Sequence, residues 1–192
     1  KGSSGVIYID NFEGSKSDID LRFPPIAWAL ASTPFGATDE TGTINLFPEA
    51  ALNNNLDYGK NRARIAWYQI EPTLQDPKNI NNPLKNQKTA LSDPRIRSVS
   101  QSEIFPQRTT DFGQNQLITF DLAYYPTDRG PYNYDAGTAS VNSLGKLLNP
   151  RQRWGGLMRN IDQTDFETAN VEYIECWVQD PFITNPTSTG GK

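Results

Sequence analysis

Four carboxylates stand where acid/base chemistry could be sought: Glu13, Asp121, Glu172 and Glu175. A glycoside hydrolase needs only two acids at a fixed separation, one to protonate the leaving oxygen and one to act as base or nucleophile. Glu172 and Glu175 are three apart in an expected strand, which puts them on opposite faces and makes them a poor couple. The sequence contains no His. That removes imidazole bases, Ser-His-Asp and Cys-His nucleophile pairs, and most zinc sites. No catalytic residue is assigned, and the chain is expected not to be an enzyme.

Asp10, Asn11 and Glu13 follow a candidate first strand, and Asp180 ends a candidate last one. In a jelly roll the first and last strands can lie close enough for such oxygens to share a calcium ion. The Asp-Asn-Phe-Glu-Gly string is also similar to carbohydrate-binding jelly rolls, several of which hold a structural calcium there. Turn formation by Asp10-Asn11, and by Asp180 before Pro181, accounts for the same residues without an ion. No metal ligand is assigned and no cofactor is expected.

Tyr124, Tyr125, Tyr132, Tyr134 and Trp154 could form a platform for a sugar or a partner polypeptide, because flat rings give large contact area at low entropy cost. Filling space between a sheet and its covering loops is the commoner use of such rings. Arg129, ahead of Gly130-Pro131, could hold carboxylates of neighbouring loops or stand in solvent. The single Cys176 excludes a disulfide within the chain, and its place in the apolar run from Tyr173 to Val178 predicts a buried small hydrophobe. Trp177 falls on the other face of that run and is expected to be largely buried too.

The elements that must position these residues read as strands. Val6 to Ile9, Ile26 to Ala31, Arg64 to Ile70, Gln116 to Tyr124 and Val171 to Val178 are runs of β-branched, aromatic and apolar residues bounded by Pro, Gly, Asn or Asp. In the fourth run Ile118, Phe120, Leu122 and Tyr124 alternate with Thr119, Asp121 and Ala123, the pattern of one face on a core, and Pro126 is expected to end it. The fifth run, apolar on both faces except for Glu172 and Glu175, reads as an interior strand. Thr164-Asp165-Phe166-Glu167 has the spacing of a capping box and could open one helical turn. The segment from Thr73 to Asn115 is long and carries four prolines, so it is expected to be functional or packed by its neighbours. Strands at irregular spacing with no βα alternation predict an all-β, antiparallel β-sandwich, jelly-roll-like in topology, with long loops and at most short helices, as one domain over residues 1–192.

The bulk properties agree. With 192 residues, 36% apolar and 21% charged, the chain can bury a sizeable core. A net charge of −4 supplies no basic field for nucleic acid or anionic lipid. The longest apolar run, Ile26 to Ala31, is far below the ~20 residues of a spanning helix. Lys1-Gly2-Ser3-Ser4 has no apolar stretch of a signal peptide behind it, so any export signal is expected outside this sequence.

Several stretches are more specific than composition. They are Tyr8-Ile9-Asp10-Asn11-Phe12-Glu13-Gly14, Arg64-Ile65-Ala66-Trp67-Tyr68, and the run from Asp121 through Tyr125-Pro126-Thr127-Asp128-Arg129-Gly130-Pro131-Tyr132-Asn133 to Tyr134. The longest is Trp154-Gly155-Gly156-Leu157-Met158-Arg159, continuing through Thr164-Asp165-Phe166-Glu167 to Val171-Glu172-Tyr173-Ile174-Glu175-Cys176-Trp177-Val178-Gln179-Asp180-Pro181-Phe182. In this order, from about Tyr8 to Gly191, they resemble the central region of the SprA family, also called Sov. The family is the giant outer-membrane translocon of type IX secretion and gliding motility. The resemblance implies a non-catalytic structural, gating or docking segment of a large outer-membrane β-barrel, itself outside the pore, in the periplasm or on the extracellular face. Its partners would be the rest of the parent barrel and other secretion-system or cargo proteins, without direct lipid insertion. In similar proteins a Leu-Tyr-Phe-type strand follows Gly-Gly-Lys, so the last sheet is expected to be incomplete without residues beyond Lys192. The family's aromatic at the position of Cys176 is replaced by a smaller side chain. The alternative function is a carbohydrate-binding jelly-roll module of a surface protein.

Overall fold

In the computed structural model the described residues are 20–107, 115–161, 165, 174 and 176–180. Strand (22%) exceeds helix (18%), and no helix exceeds about one turn. The strands are β1 (Trp28–Leu30), β2 (Ala63–Tyr68), β3 (Val99–Ser100), β4 (Gln116–Leu117), β5 (Asp121–Arg129) and β6 (Leu157–Arg159). They form three two-stranded antiparallel ladders, β1 with β6, β2 with β5 and β3 with β4. Among the described residues no helix is long and apolar enough to cross a membrane. Packing gathers the chain into two compact units, one built on Glu71–Thr119 and the other on Phe23–Ile70 with Phe120–Asn160.

The first unit fills the long proline-rich segment with one-turn helices α1 (Pro72–Gln75), α2 (Lys88–Leu91) and α3 (Gln101–Ile104) around the β3–β4 ladder. Among its described residues the fully buried side chain is an amide, that of Asn82. Asn82 donates to the carbonyls of Leu74 (3.2 Å) and Asp76 (2.8 Å), while its own side-chain oxygen accepts from the Leu84 N–H. Gln75 donates to the Ile96 carbonyl. Satisfying carbonyls in this way removes the cost of burying them unpaired.

The second unit is organised by the β2–β5 ladder, whose register runs from Tyr68 opposite Asp121 to Arg64 opposite Tyr125, then jumps so that Ala63 faces Arg129. Pro126 lies inside that irregularity and does not end the strand. A proline lacks the N–H that a regular ladder needs, and a bulge is a place where none is required. The displaced segment pairs elsewhere. The Thr127 carbonyl accepts from Leu147 N–H at 2.8 Å, on a hairpin closed by the Val141–Leu147 bridge. Ala63, Val141 and Leu147 form the small buried core, with Tyr124 packed against it.

Two strand readings need correction. The run from Gln116 to Tyr124 is split: Gln116–Leu117 pairs with β3, whereas Asp121 onward pairs with β2. The alternating face is therefore not continuous, and Ile118 and Leu122 are exposed. The interior strand expected at Val171 to Val178 is absent at its described residues: Ile174, Cys176, Trp177 and Val178 carry no ladder and are exposed. Cys176 is thus not buried, and Trp177, 63% exposed, meets Phe105 edge-on at 6.4 Å instead of filling a core. The expected strand at Val6 to Ile9 lies outside the described residues, as does the capping-box turn apart from Asp165.

Two glycines are demanded by backbone approach. A Cβ on Gly130 would stand 2.3 Å from the Ala63 carbonyl oxygen, and one on Gly59 2.2 Å from that of Tyr132. Both clashes are with backbone, which cannot swing aside. Gly130→Ala is expected to destabilise the fold by about 1–3 kcal/mol, read as a lowered denaturation midpoint. A midpoint equal to that of the parent protein would show that the Gly130–Ala63 approach is slack.

Candidate functional site

Three residues, Asn61, Arg62 and Ala63, are the point where the loops of the second unit meet. On one side the Arg62 carbonyl accepts from Gly130 N–H (3.1 Å) and from the Asn133 amide (2.7 Å). On the other, Ala63 N–H donates to the Trp154 carbonyl (2.8 Å) and Trp154 N–H to the Asn61 carbonyl (3.1 Å), a parallel bridge. Asn133 also donates to the Lys60 carbonyl, and its oxygen receives the Asp135 N–H. The segment leading into β2 is thereby clamped between two distant stretches of chain.

Arg153 locks the clamp. Only 2% exposed, it donates through Nε to the Leu148 carbonyl (2.9 Å), through Nη1 to the Lys60 carbonyl (2.9 Å) and Asn61 Oδ1 (3.0 Å), and through Nη2 to the Ser140 carbonyl (3.2 Å). The planar fork of a guanidinium can serve these divergent acceptors, whereas an ammonium cannot. Asp135 lies 3.9 Å from Nη1. Burial raises the Asp135 carboxyl, but Ser140 hydroxyl and Gly137 N–H donors, with the charges of Arg153 and Arg129, outweigh it and hold the group below its ordinary value of 3.8.

Arg62 is the second buried cation, 6% exposed. Its Nη2 donates to the Ala31 carbonyl at 3.0 Å, and its guanidinium carbon lies 5.1 Å from the Trp154 ring and 5.7 Å from that of Tyr132. Its Nε is buried without a hydrogen-bond acceptor. No ion pair of the described residues includes it. Burial accordingly depresses its pKa, against the opposing influence of Tyr58 and Tyr132. Aromatic faces offset part of the cost of desolvating a cation, by roughly 2 kcal/mol at a dry site.

Arg62 lines an open groove of about 730 Å³ whose walls include Tyr58, Trp67, Tyr132, Tyr134, Leu56 and residues 29–32 at the end of β1. Two of its rings are fixed by hydrogen bonds: the Tyr58 hydroxyl accepts from Thr33 N–H (3.1 Å), and Trp67 Nε1 donates to the Pro25 carbonyl (3.0 Å). Tyr132 and Tyr134 are 66% and 60% exposed. Tyr132 adopts a left-handed backbone conformation with φ of 63°. A non-glycine residue pays strain there, and its neighbours, the Gly59 approach and the Asn133 amide, hold it.

Of the five aromatics singled out in the sequence, the structure brings Tyr132 and Tyr134 to the groove. Tyr124 packs on the core. Trp154 is buried against Phe47 and Arg62, and Tyr125 lies on the ladder beneath Arg64, whose guanidinium is 4.2 Å from its ring. Sequence reasoning missed Tyr58, Trp67 and Arg62, which no local pattern connects to Tyr132. Arg129 is exposed at the end of β5, where its charge helps to lower the Asp135 carboxyl, and the arginine that ties the loops by hydrogen bonds, Arg153, was not singled out in the sequence. Of the proposed acids only Asp121 is described, on β5 opposite Tyr68. Glu13, Glu172 and Glu175 lie outside the described residues, as do Asp10, Asn11 and Pro181. Asp180 is exposed and outside any strand, and among the described residues no three acidic or sulfur ligands gather as a metal site.

Comparison with models of protein families finds no match, and comparison with curated protein sequences finds none either.

Two outcomes follow from the clamp. Arg153→Lys is expected to cost about 3–5 kcal/mol, because carbonyls left buried without the fork lose their donors; a chemical denaturation curve measures it, and a loss below 1 kcal/mol would mean that water replaces the guanidinium. The depressed carboxyl of Asp135 contributes stability that is fully present above the ordinary value of 3.8 and is lost as pH falls through the lower folded value. Asp135→Asn is therefore expected to abolish part of the acid-induced loss of stability below that pH, and a pH titration of the unfolding free energy that is unchanged by the substitution would contradict it.

Proposed function

We propose that this chain is a non-catalytic structural and docking segment of a SprA-like outer-membrane protein translocon, serving type IX secretion and gliding motility. The sequence motifs from Tyr8 to Phe182 support the family. The observation that carries the docking role is the groove of Tyr58, Tyr132 and Tyr134 with Trp67 of β2, whose loops are tied at residues 60–62 by Arg153, Asn133 and Gly130. Loops stiffened from beneath present contact area that does not have to be ordered on binding, which lowers the entropic cost of association. On this reading the antiparallel ladders belong to a jelly-roll-like sandwich completed within the parent protein. The segment works in the periplasm or on the extracellular face, against the parent barrel, other secretion-system proteins or cargo.

The aromatic walls also favour a second reading, a carbohydrate-binding module, since sugar rings stack on tyrosine faces. The two readings separate in the cell. Deleting the segment from the intact protein should leave the barrel inserted in the outer membrane while secretion of cargo and gliding fall. Intact secretion together with lost binding to a surface polysaccharide would replace the translocon role by the carbohydrate role.

A further inference from the structure

The groove has a chemistry more defined than that of an apolar slot. Among the described residues lining it, Arg62 is the one that carries a charge. Its Nη2 is used by the Ala31 carbonyl, its Nε has no acceptor, and no carboxylate neutralises it among the described residues. A buried cation in this state is incomplete: its desolvation is offset by two ring faces but by no counter-charge. An occupant bringing a carboxylate would supply what the fold leaves out.

One wall of the same groove is the end of β1. Ala31 N–H donates to the Gly156 carbonyl at 2.9 Å, so Ala31 faces β6. Leu30, opposite Leu157 in the register, then turns its N–H and carbonyl the other way, because groups along an antiparallel strand alternate sides. Among the described residues β1 has no second neighbour. An edge of this kind is a template for an added strand, and side-chain pockets beside it select the sequence that adds.

We propose that this groove binds an extended polypeptide segment that lies along the β1 edge at Leu30, stacks apolar or aromatic side chains on Tyr132 and Tyr134, and places a carboxylate against Arg62. The inference deepens the docking role proposed above by naming the chemistry of the partner. Charge complementarity selects the carboxylate, and the strand edge selects an extended backbone over a helix. The tyrosines select side chains that alternate along it. A neutral saccharide could use the rings but brings no counter-charge to Arg62.

The test is selection of a displayed library of random short peptides on the full chain, followed by synthesis of the enriched sequence. Enriched peptides are expected to carry Asp, Glu or a free C-terminus next to aromatic or β-branched residues in alternation. The Glu→Gln analogue of the synthetic peptide should bind about tenfold more weakly, and binding of the parent peptide should shift the Leu30 amide resonance. Arg62→Gln, which removes the charge, should erase the difference between the Glu and Gln peptides. Because Arg62 also holds the Ala31 carbonyl, Tyr134→Ala is the second variant: its ring is exposed, so the fold survives and peptide affinity drops. The proposal is overturned by absence of enrichment, by enriched peptides without a carboxylate, by Tyr134→Ala binding as tightly as the parent chain, or by a neutral oligosaccharide moving the Leu30 amide in place of peptide. Failure in these arms leaves a purely bracing role in the translocon standing, whereas intact secretion after deletion would remove that role and leave the peptide site.

Discussion

The guanidinium of Arg153 is the interaction on which the rest of the second unit depends. It reaches acceptors on Leu148 and Ser140, close to it in sequence, and on Lys60 and Asn61, some ninety residues earlier, and so joins two distant stretches of chain. The buried apolar core is small, essentially Ala63, Val141 and Leu147 with the Tyr124 ring. Such a core cannot by itself fix long loops against their conformational entropy. Hydrogen bonds from a charged, dry donor are worth about 1.5–3 kcal/mol each, and here they perform the fixing. Asn133 and Gly130 extend the same logic to the end of β5, where backbone meets backbone too closely for any side chain to intervene.

A second cation, Arg62, sits on the same clamp and differs in being left incomplete. Where Arg153 satisfies its donors on carbonyls, Arg62 spends one on Ala31 and rests on the faces of Trp154 and Tyr132. Removing it from water without a counter-charge is tolerable because the rings supply a favourable field and the Arg153 clamp holds the geometry. The groove is the surface expression of this arrangement. Rigidity beneath, aromatic walls and a positive charge without a carboxylate partner among the described residues are the features on which the proposed docking role rests.

Strand content and the positions of β1 and β2 were legible because β-branched and aromatic runs bounded by prolines and turn residues act locally. The ladder around Trp67 follows from Arg64-Ile65-Ala66-Trp67-Tyr68 with little need of context. The break within Gln116 to Tyr124 was not legible, since an alternating pattern is the same whether one partner strand or two receive it. Pro126 misled for a related reason: its missing N–H ends a regular ladder but suits a bulge, and only the register of β2 against β5 tells which. The run containing Cys176 and Trp177 shows the opposite limit. An apolar sequence buries only if something covers it, and the described residues there are exposed.

By itself the sequence determined the exclusions that chemistry makes absolute: with no His, imidazole catalysis is impossible, and with one Cys no disulfide closes within the chain. It also determined the strand runs around Ile26 and Arg64 and placed Tyr132 and Tyr134 among the candidate binding rings. The tertiary structure alone decided that Arg153 ties the loops, that Arg62 lies between Trp154 and Tyr132, and that Tyr58 and Trp67 complete the groove. These are contacts between residues tens of positions apart, whose energies depend on burial and orientation. Neither quantity is written in the spacing of residue types, because a guanidinium has the same sequence signature in water as among buried carbonyls.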